Sequence, residues 1–243
     1  MAKLTSKGGA DDPAVRAVAQ MAAEMVQDGW KVGLGSGRAS KAFIRQLGER
    51  VRSGLRIEGV PTSDNVEQLA RELNIPLIEL REDVELDIVC DGADEVAPNL
   101  DLVKGWGGAM VRERIVTMAA KRQIILVGPE KLVQSLGERG AIPVEIIPLS
   151  LGLNCRKLKE LGLVPTLRQE AEKNKPFVTD NRNLILDCAL TKPLQDGSAA
   201  RALESNILSL AGVVDTGMFL GTASQVLVGQ PDGTVQVLKR PGL

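Results

Sequence analysis

The sequence predicts an α/β protein built from a parallel-sheet domain and a smaller α+β domain. Three observations predict this class: helix and strand patterns alternate over about the first 130 residues, the strand segments are almost continuously apolar, and the pattern changes after about residue 137. Apolar strands separated by helices are typical of a parallel sheet covered on both faces. The expected domains are residues 1–137 with 218–243, and residues 138–217.

The first domain is predicted to begin with a helix, after which strands and helices follow one another. Helical segments carry apolar residues at helical spacing, and the strands are short apolar runs. In chain order the segments are PAVRAVAQMAAEMVQDG (helix), WKVGLG (strand), SKAFIRQLGERVR (helix), IEGVPTS (strand), DNVEQLARELN (helix), IPLIEL and LDIVCDGADEV (strands), GGAMVRERIVTMAAKR (helix) and QIILVG (strand). Asp64 is the predicted N-cap of the third helix.

The second domain is predicted as an antiparallel sheet with two helices. Its segments are PVEIIPLS (strand), LNCRKLKELG (helix), PTLRQ, FVTDNRN and LILDCAL (strands), SAARALESNILSLAG (helix) and VVDTGMFL (strand). FVTDNRN and LILDCAL are expected to pair through a tight Asn-Arg-Asn turn. The tail ASQVLVGQPDGTVQVLK predicts a hairpin whose turn is Pro231-Asp232-Gly233.

Composition excludes several kinds of chemistry. The 243 residues include no histidine, which excludes a histidine metal site, a Ser-His-Asp triad and a histidine general base. Aromatic residues make up 2 %, which argues against a module that binds nucleic acid by base stacking. Three dispersed cysteines indicate neither disulfides nor a metal cluster. Without a long apolar run, we expect a cytoplasmic protein with no membrane partner.

A glycine-rich turn follows the first strand and opens the second helix. It reads Gly33-Leu34-Gly35-Ser36-Gly37-Arg38-Ala39-Ser40. Glycines let the backbone turn tightly, and the amides of a helix N-terminus attract anions. The dinucleotide fingerprint requires Gly at the position of Arg38, and a Walker A loop requires Gly-Lys-Ser/Thr, so neither matches. The turn is a candidate phosphate or carboxylate cradle, with a purely structural turn as the alternative.

A group of carboxylates and one lysine lies at the end of the fourth predicted strand and in the segment after it. The group is Asp91, Asp94, Glu95, Lys104 and Glu113, with Gly105-Trp106-Gly107-Gly108 between the last two. Burial and like-charge repulsion raise a carboxyl pKa, so such a group suits proton abstraction next to a carbonyl, with one base, one shuttle and one cation. A calcium loop is a poor alternative because the EF-hand spacing is absent. Solvated loop charges are the other alternative.

Two further junctions lie at the same predicted edge of the sheet. Thr62-Ser63-Asp64-Asn65 could add hydroxyls to a polar pocket, although helix capping also explains it. Gly128-Pro129-Glu130-Lys131 follows another strand, and Lys131 could reach a bound anion or lie on the surface.

Together these motifs resemble the ribose-5-phosphate isomerase A family, nearly from end to end. They are GLGSG, TSDN, DGADE, KGWGGAMVRE, ILVGPEKLV, PVEIIP, VTDNRNLILD and PDG. DGADE followed by KGWGGAMVRE is the specific part, whereas the glycine-rich start is shared by a wider superfamily. The resemblance implies a Rossmann-like domain with a small ferredoxin-like domain, assembled as a homodimer or homotetramer.

The resemblance also implies a reaction and a set of roles. The reaction would interconvert ribose 5-phosphate and ribulose 5-phosphate through a cis-enediolate, with no metal and no cofactor. Glu113 matches the proton acceptor between C2 and C1, and Asp91 and Asp94 match the carboxylates that handle ring opening and hydroxyl protons. The implied substrate contacts are Ser36, Gly37, Arg38, Ala39, Gly92, Ala93, Lys104, Gly105, Trp106, Gly107 and Lys131.

Several residues depart from the family pattern. Arg38 and Ala39 replace two hydroxyl residues, Val66 replaces another, Val15 aligns loosely with a lysine, and Trp106 replaces a glycine. Arg38 could rebuild the phosphate site by gripping phosphate with two charge-assisted bonds. Alternatively, the substrate has changed, with Trp106 narrowing the pocket or stacking on a sugar.

Two other functions therefore stay open. One is the same reaction type on a different phosphorylated or acidic sugar. The other is a non-catalytic sugar-phosphate sensor, which we expect to carry a helix-turn-helix extension or a basic patch; the sequence contains neither.

Overall fold

The computed structural model describes residues 12–170, 175–192, 194 and 196–240. The helices are α1 (Pro13–Met25), α2 (Arg38–Arg52), α3 (Asp64–Glu72), α4 (Met110–Met118), α5 (Leu151–Glu160) and α6 (Gly197–Leu208). The strands are β1 (Lys31–Leu34), β2 (Glu58–Pro61), β3 (Ile88–Asp91), β4 (Glu95–Val96), β5 (Leu102–Val103), β6 (Gln123–Val127), β7 (Ile142–Ile146), β8 (Leu163–Leu167), β9 (Leu184–Leu190), β10 (Val213–Thr216), β11 (Met218–Phe219), β12 (Gln225–Gly229) and β13 (Val235–Lys239). Two short 3₁₀ turns, Pro129–Lys131 and Pro148–Ser150, complete the regular structure described.

The central sheet has six strands in the order β13-β12-β6-β3-β1-β2. All neighbours are parallel except β12 and β13, which form the predicted antiparallel hairpin. The strand order reverses between β1 and β3, and in open parallel sheets this reversal leaves a crevice at the carboxyl ends of the strands. The predicted α/β class is confirmed, and the sheet places the loops after β1, β3 and β6 at one edge.

Both faces of the central sheet are covered. Successive residues of β6 point to opposite faces: Ile124 and Leu126 pack into a core with α1, α2 and α3, whereas Ile125 and Val127 pack into a second core with Met110 of α4. The sequence signal for this arrangement was the uninterrupted apolar run of β6, because a strand buried on both sides has no polar face.

A four-stranded antiparallel sheet has the order β10-β7-β9-β8. Its elements follow one another as β7-α5-β8-β9-α6-β10, which is the split βαβ arrangement of ferredoxin-like domains. A third sheet has three antiparallel strands in the order β11-β5-β4. Because β7, β8, β9 and β10 form a sheet of their own, we propose that the two domains divide after residue 137 and after residue 217.

The expected hairpin between FVTDNRN and LILDCAL is confirmed only at its turn, where the Thr179 N–H donates to the Asn183 carbonyl at 3.0 Å. Residues 177–183 form an irregular loop with one isolated bridge, Val178 to Leu184, and β9 instead pairs with β7 and β8. The loop is held by side chains, because Thr179, Asn181 and Asn183 all donate hydrogen bonds to Glu145 Oε1 of β7. These polar side chains replace the ladder that a hairpin would use.

Three smaller expectations also need correction. IPLIEL contributes only a single bridge, from Leu77 to Gly59, and not a strand. The predicted strand VVDTGMFL divides at Gly217 into β10 and β11, which belong to different sheets. The N-cap of α3 is Ser63, whose hydroxyl accepts a hydrogen bond from the Val66 N–H at 3.3 Å, and Asp64 is the first helical residue.

Gly217 marks a close crossing of two chain segments. Its carbonyl accepts a hydrogen bond from the Lys104 N–H at 2.8 Å, and a Cβ at this position would lie 2.3 Å from the Lys104 carbonyl. Only glycine fits there. Among the described residues, no helix is both long enough and apolar enough to cross a lipid bilayer.

Candidate active site

A cavity of about 230 Å³ opens at the carboxyl edge of the central sheet, between the loops that follow β1, β3 and β6. Helices α1 and α4 close its sides through Val15, Val18 and Glu113. The predicted site residues that line it are Ser36, Gly37, Arg38, Ala39, Gly92, Ala93, Asp94, Lys104, Gly105, Gly107, Glu113 and Lys131. Asp91 and Trp106 do not line it.

Lys104 is the buried centre of the site. Its Nζ lies 2.8 Å from Asp91 Oδ2 and 3.1 Å from Glu113 Oε2, and it donates a 2.5 Å hydrogen bond to the Gly92 carbonyl. Burial alone would lower the pKa of Lys104, but the charges of Asp91 and Glu113 outweigh it and raise the pKa above its usual value. This raised pKa favours the ammonium form of Lys104, which lies between Asp91 and Glu113.

Asp91 lies behind the cavity and fixes this arrangement. Its Oδ1 accepts hydrogen bonds from the Gly92 N–H at 2.7 Å and the Ser40 hydroxyl at 3.1 Å, while its Oδ2 faces Lys104. The β1 loop passes so close that a Cβ on Gly35 would lie 2.3 Å from Asp91 Oδ1. Glycine at position 35 therefore leaves room for the Asp91 carboxylate.

Glu113 extends from the first turn of α4 into the cavity. Burial and the negative charge of Asp91 raise its pKa to about 7, against the opposing effect of Lys104. A carboxyl group with this pKa exchanges a proton readily near neutral pH, which is the property required of a general base. The Lys104 ammonium lies next to it, where it can stabilise an oxygen that becomes negative as the proton leaves.

Asp94 is the second carboxylate that faces the cavity. Its Oδ2 accepts a 2.9 Å hydrogen bond from the Trp106 N–H, and burial raises its pKa in spite of this bond and of the charge of Lys104. Glu95, which the sequence grouped with it, points away: the N–H groups of Gly137, Arg139 and Gly140 donate to its carboxylate. Strand alternation sends Asp94 and Glu95 to opposite sides.

The indole of Trp106 does not narrow the cavity. Its Nε1 donates to the Ala141 carbonyl at 2.9 Å, and the ring lies so close to Gly140 that a Cβ there would be 2.4 Å from it. Lys131 Nζ lies 5.7 Å from the centre of the same ring. In this structure the residue contributes its backbone N–H to Asp94 and its ring to the support of Lys131.

The second predicted motif reaches the site through Ser36. The Ser36 hydroxyl lies 2.8 Å from Thr62 Oγ1 and 3.0 Å from Ser63 Oγ. Thr62 in turn donates to the Leu34 carbonyl at 2.9 Å. These hydroxyls hold the β1 loop in place and do not line the cavity themselves, so their contribution to the site is the position of Ser36.

The mouth of the cavity carries positive charge. Arg38 is the first residue of α2, and Lys131 lies at the end of the 3₁₀ turn after β6. Burial lowers the pKa of Lys131, Asp94 opposes this effect, and the charge of Arg38 adds to the lowering. Two cations and the positive end of the α2 dipole make this end of the cavity attractive to an anion.

Sequence reasoning missed Arg168, which follows β8 and donates to the carbonyls of Gly105 and Trp106 at 2.9 and 3.1 Å. No local motif marks it, because the two carbonyls that it binds lie more than sixty residues away in the chain. Among the residues described, no three metal-ligating side chains converge on a point that could hold a metal ion.

Comparisons with known proteins give the same region a family. A sequence model described as ribose 5-phosphate isomerase A (phosphoriboisomerase A) matches residues 58–233. The ribose-5-phosphate isomerase A of Deinococcus radiodurans is 46 % identical over 231 residues, covering 94 % of this chain and 96 % of the relative.

Solved structures extend the likeness to the fold. Ribose 5-phosphate isomerase A from Methanocaldococcus jannaschii is 40 % identical with a TM-score of 0.86, over 93 % of this chain and 98 % of that one. A D-ribose-5-phosphate isomerase solved in complex with phospho-erythronic acid is 33 % identical with a TM-score of 0.88, over 93 % and 98 % of the two chains. Because the family model matches most of the chain and relatives at 40 % identity or more cover over nine-tenths of it, this chain belongs to the ribose 5-phosphate isomerase A family.

Proposed function

We propose that this chain is an aldose-ketose isomerase that interconverts ribose 5-phosphate and ribulose 5-phosphate. The observation that carries the proposal is the position of Glu113, a buried carboxyl with a pKa of about 7 whose Oε2 lies 3.1 Å from the Lys104 ammonium in the floor of the cavity. The choice of ribose 5-phosphate as substrate rests on the family, and the proton transfer rests on the geometry of Glu113 and Lys104.

The proton transfer follows from this pair. The Glu113 carboxylate removes the proton from C2 of the open-chain aldose, the electron pair forms the C1–C2 double bond, and the C1 carbonyl oxygen becomes negative. The Lys104 ammonium stabilises that oxygen in the enediolate. Glu113 then returns the proton to C1 as the C2 oxygen becomes the carbonyl, so that no atom is gained or lost.

The two aspartates divide the remaining work. Asp94 faces the cavity and, with a pKa raised by burial, it carries the hydroxyl protons that must move during ring opening and carbonyl exchange. Asp91 makes hydrogen bonds to Ser40, Gly92 and Lys104, so its role is to hold the ammonium in place. This assignment refines the family pattern, in which both aspartates handle substrate protons.

The phosphate is proposed to bind at the mouth of the cavity. Arg38 and Lys131 provide the charge there, and the N-terminus of α2 provides backbone donors. Of the departures that favoured a different sugar, Val66 is fully buried in the core and the Trp106 ring is turned towards Gly140, so neither reshapes the cavity. Arg38, Ala39 and Val15 line the cavity, and a phosphate site rebuilt around Arg38 accounts for the first two.

Substitution of the base tests the proposal. With ribose 5-phosphate in D₂O, the wild-type protein should form ribulose 5-phosphate and exchange or transfer the C2 proton, as followed by NMR. Glu113→Gln should lower kcat by about 10²–10⁴-fold, the usual contribution of a general base. Glu72→Gln, the same change at an exposed position on α3, is the control and should retain the wild-type rate. Unchanged turnover by Glu113→Gln would contradict the assignment.

We also propose that the chain forms a homodimer or homotetramer. Large apolar side chains are exposed at Ile115, Met118, Ile147, Leu149 and Val214. The segments that carry these side chains contact one another. Arg114 of α4 pairs with Asp215 of β10 at 2.6 Å, and the Ile147 N–H donates to the Gly212 carbonyl. Exposed apolar groups of this kind mark protein interfaces. Sedimentation should give a mass above one chain that falls in Leu149→Asp; a monomeric wild type would contradict this.

A further inference from the structure

We propose that Arg168 is a positioning residue for the substrate-facing loop at Gly105–Gly107, holding that loop from the four-stranded sheet. This inference rests on the proposed function of the cavity. It concerns a residue next to β8 of the four-stranded sheet that does not line the cavity. Arg168 acts on the cavity through the two carbonyls that it binds, and its charge also opposes the rise in the pKa of Asp94.

The first step is the geometry of the guanidinium. Arg168 Nε donates to Asp187 Oδ2 at 2.9 Å, and its Nη2 pairs with the other oxygen of the same carboxylate. Its Nη1 donates to the Gly105 carbonyl at 2.9 Å and to the Trp106 carbonyl at 3.1 Å. The planar fork thus serves a carboxylate on one edge and two carbonyls on the other, an arrangement that the ammonium of lysine cannot reproduce.

The second step is the peptide group between Gly105 and Trp106. Its carbonyl accepts from Arg168, and its N–H donates to Asp94 Oδ2 at 2.9 Å. In a trans peptide the C=O and N–H point in opposite directions, so one rigid plane is gripped from both sides. If Arg168 releases the carbonyl, the plane can rotate and the N–H no longer faces Asp94.

The third step is the softness of the loop itself. Gly105 and Gly108 have φ values of +96° and +88°, a region in which glycine moves freely and other residues are strained. Gly105 and Gly107 line the cavity, so rotation of this segment changes both its shape and the orientation of Asp94. A loop of this composition needs an external anchor, and the half-buried pair of Arg168 with Asp187 provides one.

The site predicts a specific kinetic signature. Arg168→Met removes the anchor and leaves Glu113 and Lys104 in place, so we expect KM for ribose 5-phosphate to rise about tenfold, which corresponds to about 1.4 kcal/mol. Because the displaced Asp94 carries hydroxyl protons in the proposed reaction, kcat should fall as well. Arg168→Lys keeps the charge and loses the fork, and KM should rise nearly as much. Asp187→Asn frees the guanidinium from its carboxylate and should give an intermediate increase.

The measurement is the separate determination of KM and kcat for these variants, with urea denaturation of each. A purely structural role would lower the free energy of unfolding without a rise in KM. KM within about twofold of wild type in both Arg168→Met and Arg168→Lys would overturn the proposal, as would a loss confined to kcat. If Arg168→Met does not fold, Arg168→Lys decides: a wild-type KM overturns it. Failure of the proposed function is distinguishable, because the wild-type protein would then not convert ribose 5-phosphate.

Discussion

The ionisation of Glu113 sets the pH at which the proposed reaction runs. Its pKa of about 7 lies above the ordinary value of 4.5, because burial and Asp91 disfavour the carboxylate. Below pH 7 the base is protonated and cannot accept a proton; above pH 7 it is ionised and competent. We therefore expect kcat/KM to rise about tenfold per pH unit below 7 and to level off above it, in a pH-rate profile of the wild-type protein. A flat profile between pH 5 and 8 would contradict this reading.

Gly35 is the residue whose enlargement should damage the site most directly. A Cβ at this position would lie 2.3 Å from Asp91 Oδ1 and 2.5 Å from the Cys90 carbonyl, so Gly35→Ala must displace the carboxylate that holds Lys104. We expect a loss of about 1–3 kcal/mol in the free energy of unfolding, with a large loss of kcat. Urea denaturation and the isomerase assay measure the two effects.

The matched control is Gly152→Ala, within α5, where nothing lies within 4 Å of the added Cβ. Alanine is the better helix former, so this variant should be as stable as wild type or slightly more stable. Equal stability of Gly35→Ala and wild type would show that the loop moves without cost.

Single residues also mark the limit of sequence reasoning. The sequence could suggest Asp91, Asp94, Lys104 and Glu113 together, because parallel strands bring their carboxyl ends to one edge. It could not tell that Asp91 does not line the cavity, or that the Trp106 ring turns towards Gly140. Those orientations depend on contacts between distant segments.

At the scale of elements, the loop of residues 177–183 depends on one buried carboxylate. Glu145 Oε1 accepts from Thr179 Oγ1 at 3.0 Å, Asn181 Nδ2 at 3.2 Å and Asn183 Nδ2 at 2.8 Å. Glu145→Ala leaves these donors without their acceptor, and we expect it to lower the free energy of unfolding by about 1–3 kcal/mol. Urea denaturation measures the change.

The control for this prediction is Glu160→Ala, an exposed partner of Lys157, whose salt bridge should contribute no more than about 0.5 kcal/mol. A Glu145→Ala variant as stable as Glu160→Ala would mean that the loop finds other partners.

The same loop explains why one predicted hairpin is reduced to a turn and a single bridge. VTDNRN reads as a turn between strands, and its Asn-rich composition does favour a turn, with Arg182 at a φ of +66°. However, the polar side chains find Glu145 on a neighbouring strand, and Asn181 Oδ1 also accepts from Arg112 of α4. Local composition predicts the turn, whereas the partners that decide its pairing belong to other elements.

At the scale of the whole molecule, Arg114 links helix α4 to strands β10 and β11, which belong to the four-stranded and the three-stranded sheet. From α4 it pairs with Asp215 at 2.6 Å, donates to the carbonyls of Thr216 and Met218, and lies 4.3 Å from the centre of the Phe219 ring. We expect Arg114→Met to lower the free energy of unfolding by about 2–4 kcal/mol, because it leaves a mostly buried carboxylate and two carbonyls without their donor.

Chemical denaturation checks this value against Arg52→Met, which removes an exposed pair with Glu49 and should change stability by less than about 0.5 kcal/mol. Similar losses in the two variants would show that Arg114 does not hold the sheets together.

The overall architecture was the most predictable level. Alternation of apolar strands with helices predicted the parallel sheet, and the later change of order predicted the antiparallel one. The pattern could not predict how the parallel and the antiparallel sheet are joined. The arginines that join them have no local signature, since their partners lie far along the chain; they are Arg112, Arg114 and Arg168.

The crossing at Gly217 has a consequence for the order in which the site is made. Lys104 receives its backbone partner from Gly217, its Nζ lies 5.4 Å from the centre of the Phe219 ring, and β12 completes the central sheet beside β6. A ribosome delivers the carboxylates and the lysine long before it delivers these supports. Contacts so distant in sequence form late and slowly. The nascent chain therefore carries every charged group of the site, but it becomes an enzyme only when its last strands have emerged.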